Sequence, residues 1–329
     1  TKEFQGRRPS YYWLCNAVDV YCPVQWEYSR LNVAYTLVSK RKIKRLIDEG
    51  IVRDWDDPRL FTLSGLRRRG FPPQAIKNFC DLVGVTEATD TILQPAVLES
   101  CVRDVLNTTA TRSMAIVQPL KVEIVNFPST AGPTVTVDNI PANVCESEGV
   151  KNTGVHKVDV CSTLYIEAED FSETPPKGYK RLTSGQSVGL MHLGLVMTLK
   201  EVVKSNGVPT KLICEVAPGG PTNKPKGAYI HWVSSASPEV APQQAEIRVY
   251  SQLLKSVNPE SNPGGLLADV MDNSLVVHRN GIVDCGVTGA AVGSTFQFVR
   301  GGYYSKDADS TDAVPVFNLT IGLKGEGKK

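Results

Sequence analysis

Hydrophobic and polar positions change period once along this chain, near Met114. Before that point the apolar residues recur at helical spacing. Ile43, Leu46 and Ile47 follow a basic run. Ile76, Phe79, Cys80 and Val83 form one face behind Pro72 and Pro73, with Gly84 as a stop. Leu98, Cys101, Val102, Val105 and Leu106 form another behind Pro95. Proline opening and glycine closing such a face are helix boundaries, because proline lacks an N–H the first turn does not need and glycine accepts the left-handed turn that ends it. The pattern predicts helices across 60–107 and a short one over Leu14–Val20, while Gln25–Asn32 alternates like a strand.

After Met114 the period falls to two. Leu120, Val122 and Ile124 alternate with polar residues. Short runs follow at 134–137, 158–166, 188–198, 210–216, 229–233, 246–250, 295–298 and 316–323, punctuated by proline and glycine. Many short strands without intervening helices predict barrels or sandwiches, and roughly 215 residues is room for two. The Pro/Gly-rich stretches at 217–227 and 258–265 are predicted loops.

Composition narrows the classes. At 329 residues and 41% hydrophobic content the chain can bury a large core. Its apolar runs are all shorter than a membrane span. Eight cysteines are scattered with no Cys-x-x-Cys pair, and His156, His192, His231 and His278 do not cluster with them. Neither a zinc site nor a disulfide framework is expected, and the predicted setting is a reducing, cytoplasmic one. The net charge of +2 hides an asymmetry: residues 1–117 carry 17 Lys and Arg against 13 Asp and Glu, and the remainder leans acidic. Any nucleic-acid contact must come from local patches.

Three stretches carry candidate chemistry. Val38-Ser39-Lys40-Arg41-Lys42 opens a helix at Ser39, where clustered cations suit a triphosphate, although a solvated basic face is the commoner meaning of such a run. Trp55-Asp56-Asp57-Pro58-Arg59 reads as a turn whose carboxylates serve capping more readily than acid/base work. Arg67-Arg68-Arg69, between Gly65 and Gly70, is expected to be an exposed ridge, equally suited to phosphate contact and to plain solvation.

Motif order adds what no single run does. Ser-Arg-Leu-Asn at 29–32, Val-Ser-Lys-Arg-Lys at 38–42, Trp-Asp-Asp-Pro-Arg at 55–59 and Gly-Leu-Arg-Arg-Arg-Gly-Phe at 65–71 precede an all-β half. That half contains Tyr-Lys-Arg-Leu at 179–182, Ile-His-Trp-Val at 230–233 and Phe-Gln-Phe at 296–298. The series closely resembles the glutaminyl-tRNA synthetases, from end to end. Glutamyl-tRNA synthetases of the eukaryotic and archaeal type share several of these motifs, but Arg-Arg-Pro-Ser-Tyr-Tyr-Trp at 7–13 and Tyr-Lys-Arg-Leu favour the glutaminyl family. A tRNA-binding fragment without catalysis of its own is the reading from another class.

The resemblance implies an α+β multidomain chain. Residues 1–59 would end a class I catalytic domain, 60–111 form a helical region contacting the tRNA stem, and 112–329 fold as two anticodon-binding β-barrels. It implies ATP-dependent ligation of glutamine to its tRNA through an aminoacyl-adenylate, with ATP and Mg2+ as substrate and no resident metal. Residues 38–42 match the KMSKS loop, with Val38 where methionine is usual. Lys40 and Ser39 are the implied catalytic residues. Arg30, Leu31, Val38, Ser39, Lys40 and Arg41 are implied at the nucleotide, and Gln25 at the glutamine side chain. Arg112 and Gln297 match readers of the middle anticodon base, Arg181 matches the reader of the third, and Arg300 is implied to support the backbone nearby. Met191 stands where bacterial relatives place an arginine facing the first base, with His192 beside it as the substitute. Gly6 and Arg7 stand where those relatives have an acidic residue, and Lys324 replaces an arginine. The HIGH motif and the first half of the nucleotide fold are expected to precede Thr1. Implied partners are tRNA, ATP and glutamine, with other synthetases of a multi-enzyme complex as further candidates and no membrane.

Overall fold

The computed structural model describes residues 1–88, 91–127, 134–235, 242–259, 262 and 264–324. Positions 260, 261 and 263 of the expected loop at 258–265 lie outside that set.

The first part is helical. A 3-10 turn over Lys2–Arg7 leads into α1 (Arg8–Ala17). This helix starts six residues before the predicted one, because Pro9 in its first turn suits a helix entry. The expected strand over Gln25–Asn32 is not there. Only β1 (Asn32–Val33) forms, paired with β2 (Ile92–Leu93). Residues 23–27 are instead tied to α1 by side chains. Tyr11 Oη donates to Pro23 O at 3.3 Å, Gln25 N donates to the Tyr12 hydroxyl at 3.2 Å, and Arg8 grips the Glu27 carboxylate. A segment bonded this way has no neighbouring strand to pair with.

Four helices follow: α2 (Lys40–Asp48), α3 (Leu63–Arg69), α4 (Pro73–Val83) and α5 (Pro95–Thr109). The Thr62 hydroxyl caps α3 by accepting from Gly65 N at 2.9 Å. Gly70 ends it at φ +95, where a Cβ would lie 2.4 Å from Ser305 Cβ. Glycine is required there twice over, by dihedral and by space. The buried faces of α3, α4 and α5 (Leu66, Phe79, Leu98, Val102, Leu106) close on Tyr303 and Ile321 from the β half.

The β half forms two seven-stranded sheets. One contains, in spatial order, β12 (Tyr229–Ile230), β9 (Val188–Leu190), β10 (Leu195–Ser205), β11 (Val208–Pro218), β5 (Pro119–Ile124), β8 (Thr163–Glu167) and β13 (Val233–Ser234). The other runs β3 (Thr111–Ser113), β16 (Thr295–Phe298), β17 (Gly302–Lys306), β18 (Val316–Ile321), β14 (Gln243–Tyr250), β15 (Leu275–Val283) and β4 (Ala115–Ile116). In each sheet the two end strands are consecutive in the chain: β12 and β13 flank His231 and Trp232, and β3 and β4 flank Met114. Such a sheet must curl until its ends almost meet, which makes both barrel-like and leaves little open edge. The expected two barrels are therefore present, nested in order: the chain starts the second sheet with β3 and β4, builds the first completely, then returns.

Trp232, fully buried, centres the first core and donates Nε1–H to Met191 O at 2.9 Å. The second core is aromatic: Phe298 lies 4.7 Å from Tyr304 and 5.1 Å edge-on to Phe317, between ring centroids. A separate two-stranded ribbon, β6 (Thr134–Asp138) with β7 (Val155–Asp159), stands outside both sheets. The expectation of no helix after Met114 is overturned by α6 (Ala142–Glu148), one short helix entered at Pro141 and closed by Gly149 at φ +65. No helix of the described residues is long and apolar enough to cross a membrane.

Candidate functional site

The basic run begins α2. Ser39 is its N-cap residue in extended conformation, and the carbonyl of Ser39 accepts from Ile43 N at 2.9 Å. Ile43 and Leu46 are buried, and with Leu37 they pack on Val52, Leu60, Leu253, Leu254 and Leu266. The helix is thereby seated on the segment that follows β14. Lys42 Nζ donates to Pro259 O at 3.4 Å, and Tyr35, at φ +62, donates its N–H to Val257 O at 3.0 Å. Lys40 and Arg41 face solvent. No acidic residue occupies the first turn. Lys40, Arg41 and Lys42 thus sit against the positive end of a helix dipole, an arrangement that costs roughly 0.3–1 kcal/mol per charge when nothing negative is bound. A helix N-terminus that also carries exposed cations favours a bound anion.

Other candidate nucleotide residues lie in a separate cleft. Arg30 and Leu31 line a cavity of about 570 Å3 with Thr1, Tyr28, Val83 and Leu93, and residues 38–41 are not among its walls. Arg30 Nε donates to Asn32 Oδ1 at 3.2 Å. Gln25 is half-buried, its backbone held by Tyr12 as described.

The two arginine-rich motifs prove to be joints. Asp57 accepts from Arg53 N (3.1 Å), Arg59 N (3.0 Å) and the Arg59 guanidinium (2.9 and 2.8 Å), so it caps its turn. Burial opposes the charge on Asp57, and these donors more than offset it, holding its carboxyl below the usual range. The expected ridge at 67–69 is not one. Arg68 donates to the buried Asp307 and to Asp56, and Arg69 lies between the rings of Phe71 and Tyr250, at 5.7 and 5.9 Å. Only Arg67 is exposed, because α3 lies flat on β17 and β18 and turns the other two inward.

On the barrels, Arg112 and Gln297 are register partners on adjacent parallel strands. Arg112 is buried and donates to Asn107 O (2.8 Å), Ala110 O (3.0 Å) and Asn107 Oδ1 (3.0 Å), at the C-terminal end of α5. Burial without a carboxylate partner lowers its pKa. The Gln297 Oε1 beside it is buried without a hydrogen-bond partner among the described residues, an acceptor left for a donor. Arg181 and Arg300 meet at another point: both reach Asp170, which is fully buried. Sequence reasoning passed over Asp170, since an acidic residue in Glu-Asp-Phe carries no signal without its partners. Met191 O is used by Trp232, and His192 stands at φ +64, its pKa lowered by burial.

Three family models match in sequence order. Residues 1–108 match the catalytic domain of tRNA synthetases class I (E and Q), and residues 110–217 and 229–307 match two anti-codon binding domains of the same description. The chain belongs to the class I tRNA synthetases of the E and Q family. It is 52% identical over its full length to a glutamine–tRNA ligase of Bos taurus and 45% identical over 99% of its length to a probable glutamine–tRNA ligase of Caenorhabditis elegans. It is 38% identical over 98% of its length to a glutamine–tRNA ligase of Bradyrhizobium diazoefficiens. It spans 41% of the two animal relatives and 57% of the bacterial one. Within this synthetase family the helical part and the paired barrels fall on separate models, which meet where α5 gives way to β3.

Proposed function

We propose that this chain serves a glutamine–tRNA ligase, supplying the phosphate-handling helix of adenylate formation and the surface that reads the anticodon. The observation that carries the nucleotide role is the N-terminus of α2, where the exposed Lys40 and Arg41 follow the N-cap Ser39 with no acidic residue in the first turn, over a packed apolar floor. ATP enters with Mg2+ as substrate. As the glutamine carboxylate attacks the α-phosphate, negative charge moves onto the departing pyrophosphate, and a cation fixed there stabilises that charge more in the transition state than before it. Lys40 is the main such group in this reading, Ser39 and Arg41 flank it, and Val38 completes the segment. Arg30 and Leu31 border the nucleotide from their own cleft in this reading, and Gln25 borders the substrate amide.

The second step, transfer of the acyl group to the tRNA's terminal adenosine, needs no protein nucleophile. Positioning does the work. Residues 1–59 and 60–111 would serve the catalytic and stem-contacting parts, and 112–329 the anticodon part, in which Arg112, Gln297 and Arg181 read bases and Arg300 acts in support. Unstacked loop bases held at their edges by Arg and Gln side chains are the usual mode of single-strand RNA recognition. The relatives' names favour glutamine over glutamate. A cytoplasmic setting and association with other synthetases are part of the proposal.

The test is charging by the whole protein that carries this chain, with glutamine and glutamate offered separately. Glutamine should be attached. Lys40→Ala should slow pyrophosphate exchange at least tenfold while tRNA affinity stays within about twofold. Attachment of glutamate would overturn the specificity, and equal losses in exchange and tRNA affinity would make the run a tRNA-phosphate patch.

A further inference from the structure

Asp170 ends a 3-10 turn (Ala168–Asp170) after β8, and its side chain is 0% exposed. Arg300 Nη1 donates to its Oδ2 at 2.8 Å and Arg300 Nη2 to its Oδ1 at 2.7 Å, a bidentate pair that bridges the two barrels. His231 completes the support. With its Nε2–H given to Ala115 O at 2.9 Å, its Nδ1 is left to face Arg300 Nη1 at 3.1 Å. Arg300 itself stands at φ +65, a strained position for a residue with a side chain, retained where surrounding contacts over-determine it.

The second cation at Asp170 is Arg181, whose Nε lies 3.1 Å from Oδ1. Its side chain is 28% exposed, and beyond this ion pair its guanidinium makes no hydrogen bond among the described residues. The backbone that carries it is fixed on three sides. Leu182 N donates to Asp170 O at 2.9 Å, Ala228 N donates to Lys180 O at 2.8 Å, and Gln186 Nε2 donates to Arg181 O at 2.6 Å. A Cβ at Gly227 would lie 2.6 Å from Lys180 O, so the segment before β12 approaches as closely as a backbone can.

We propose that Asp170 is a positioning residue for anticodon recognition: its ion pair holds the Nε edge of Arg181 and leaves the two Nη groups available as a fork. The inference rests on the reading above that Arg181 contacts an anticodon base. A free arginine loses considerable rotamer entropy when it binds, whereas a fork held in advance loses little and discriminates by geometry. Two parallel N–H donors fit a base edge with two adjacent acceptors and leave one donor unmatched on any other edge. Arg300 neutralises the buried carboxylate from the far side, freeing Arg181 to look outward.

The experiment uses the whole synthetase and compares kcat/KM for charging the cognate tRNA with that for tRNA altered only at the third anticodon base. Arg181→Ala should collapse the ratio. Asp170→Asn should lower it about tenfold, and the double variant should be no worse than Arg181→Ala alone. Asp170→Glu keeps the charge one methylene out of place and should fall between Asp170→Asn and wild type, which covers the case in which Asp170→Asn fails to fold. A folded Asp170→Asn or Asp170→Glu protein with the wild-type ratio overturns the proposal, as do additive losses in the double variant. An unchanged ratio in Arg181→Ala would instead overturn the reading on which it rests.

Discussion

Replacing Arg68 by Met would show how firmly the helical part is bonded to the second barrel. Arg68 donates Nε and Nη2 to the two oxygens of Asp307, at 2.9 and 3.0 Å, and also reaches Asp56 and Asp309 at 3.1 and 3.0 Å. Methionine keeps most of the stem and removes the charge, leaving the fully buried Asp307 carboxylate without its main cation. Breaking a buried pair from one side costs about 3–5 kcal/mol. Asp307 would keep Asn318 Nδ2 and Asp309 N as donors, with Arg248 Nη1 3.5 Å away, so the expected loss lies near the lower end, about 3 kcal/mol. With a urea m-value of about 3 kcal/mol/M, the unfolding midpoint should fall by about 1 M at pH 7. Acidification supplies a second readout. Burial opposes the charge on Asp307, but Arg68 and the other donors hold its carboxyl below its ordinary 3.8. A carboxyl lowered by folding contributes stability that is complete above its unfolded value and is lost as pH falls through the folded one. The gap between wild type and variant should therefore be full at neutral pH and narrow below about pH 3.8. A midpoint shift under roughly 0.3 M, or a gap that widens in acid, would refute the assignment of Arg68 as the joint.

Gly70→Ala should destabilise more than an ordinary helix-end change, since its Cβ would collide with Ser305 at 2.4 Å and Thr320 Oγ1 at 2.6 Å; thermal melting should drop by several degrees, and a neutral result would contradict the packing of α3 on β17 and β18. Cys214, buried on β11 with its thiol pushed up to about 12, should resist iodoacetamide at pH 8 until the first barrel unfolds, as read by peptide mass. Leu46→Ala should cost about 2–5 kcal/mol and slow pyrophosphate exchange, because Leu46 is wholly buried in the cluster that seats α2; unchanged exchange in a destabilised protein would separate the floor of α2 from its chemistry.

The helices were legible because their signals are local: Pro73 and Pro95 in first turns and Gly70 and Gly84 at ends sit within a few residues of what they decide. Strands with clean alternation, such as Pro119–Ile124, were legible for the same reason. The nesting of the barrels was not. β3 and β4 join a sheet whose other strands begin more than a hundred residues later, and no local pattern encodes that return. Arg67, Arg68 and Arg69 look alike in sequence, yet one faces water and two are half-buried in contacts with the β half, a difference set by Asp307 and Tyr250 far along the chain. For the candidate site, the side chains that would touch nucleotide or RNA could be named from motifs, whereas those that hold them could not. Asp170 and Arg300 stand 130 positions apart. Gln25–Asn32 shows the converse: alternation was real, but α1 supplied the bonds a strand would have sought.

The floor of α2 bears on how such proteins can be recombined. Leu253, Leu254 and Leu266 belong to the stretch between β14 and β15, yet they form one hydrophobic cluster with Ile43 and Leu46. A chimera that exchanged everything after residue 110 for the corresponding region of a relative would also exchange the seat of α2, the helix proposed to handle phosphate. Transplanting RNA preference onto another catalytic body therefore requires a matched graft, in which the underside of α2 travels with the barrel it rests on.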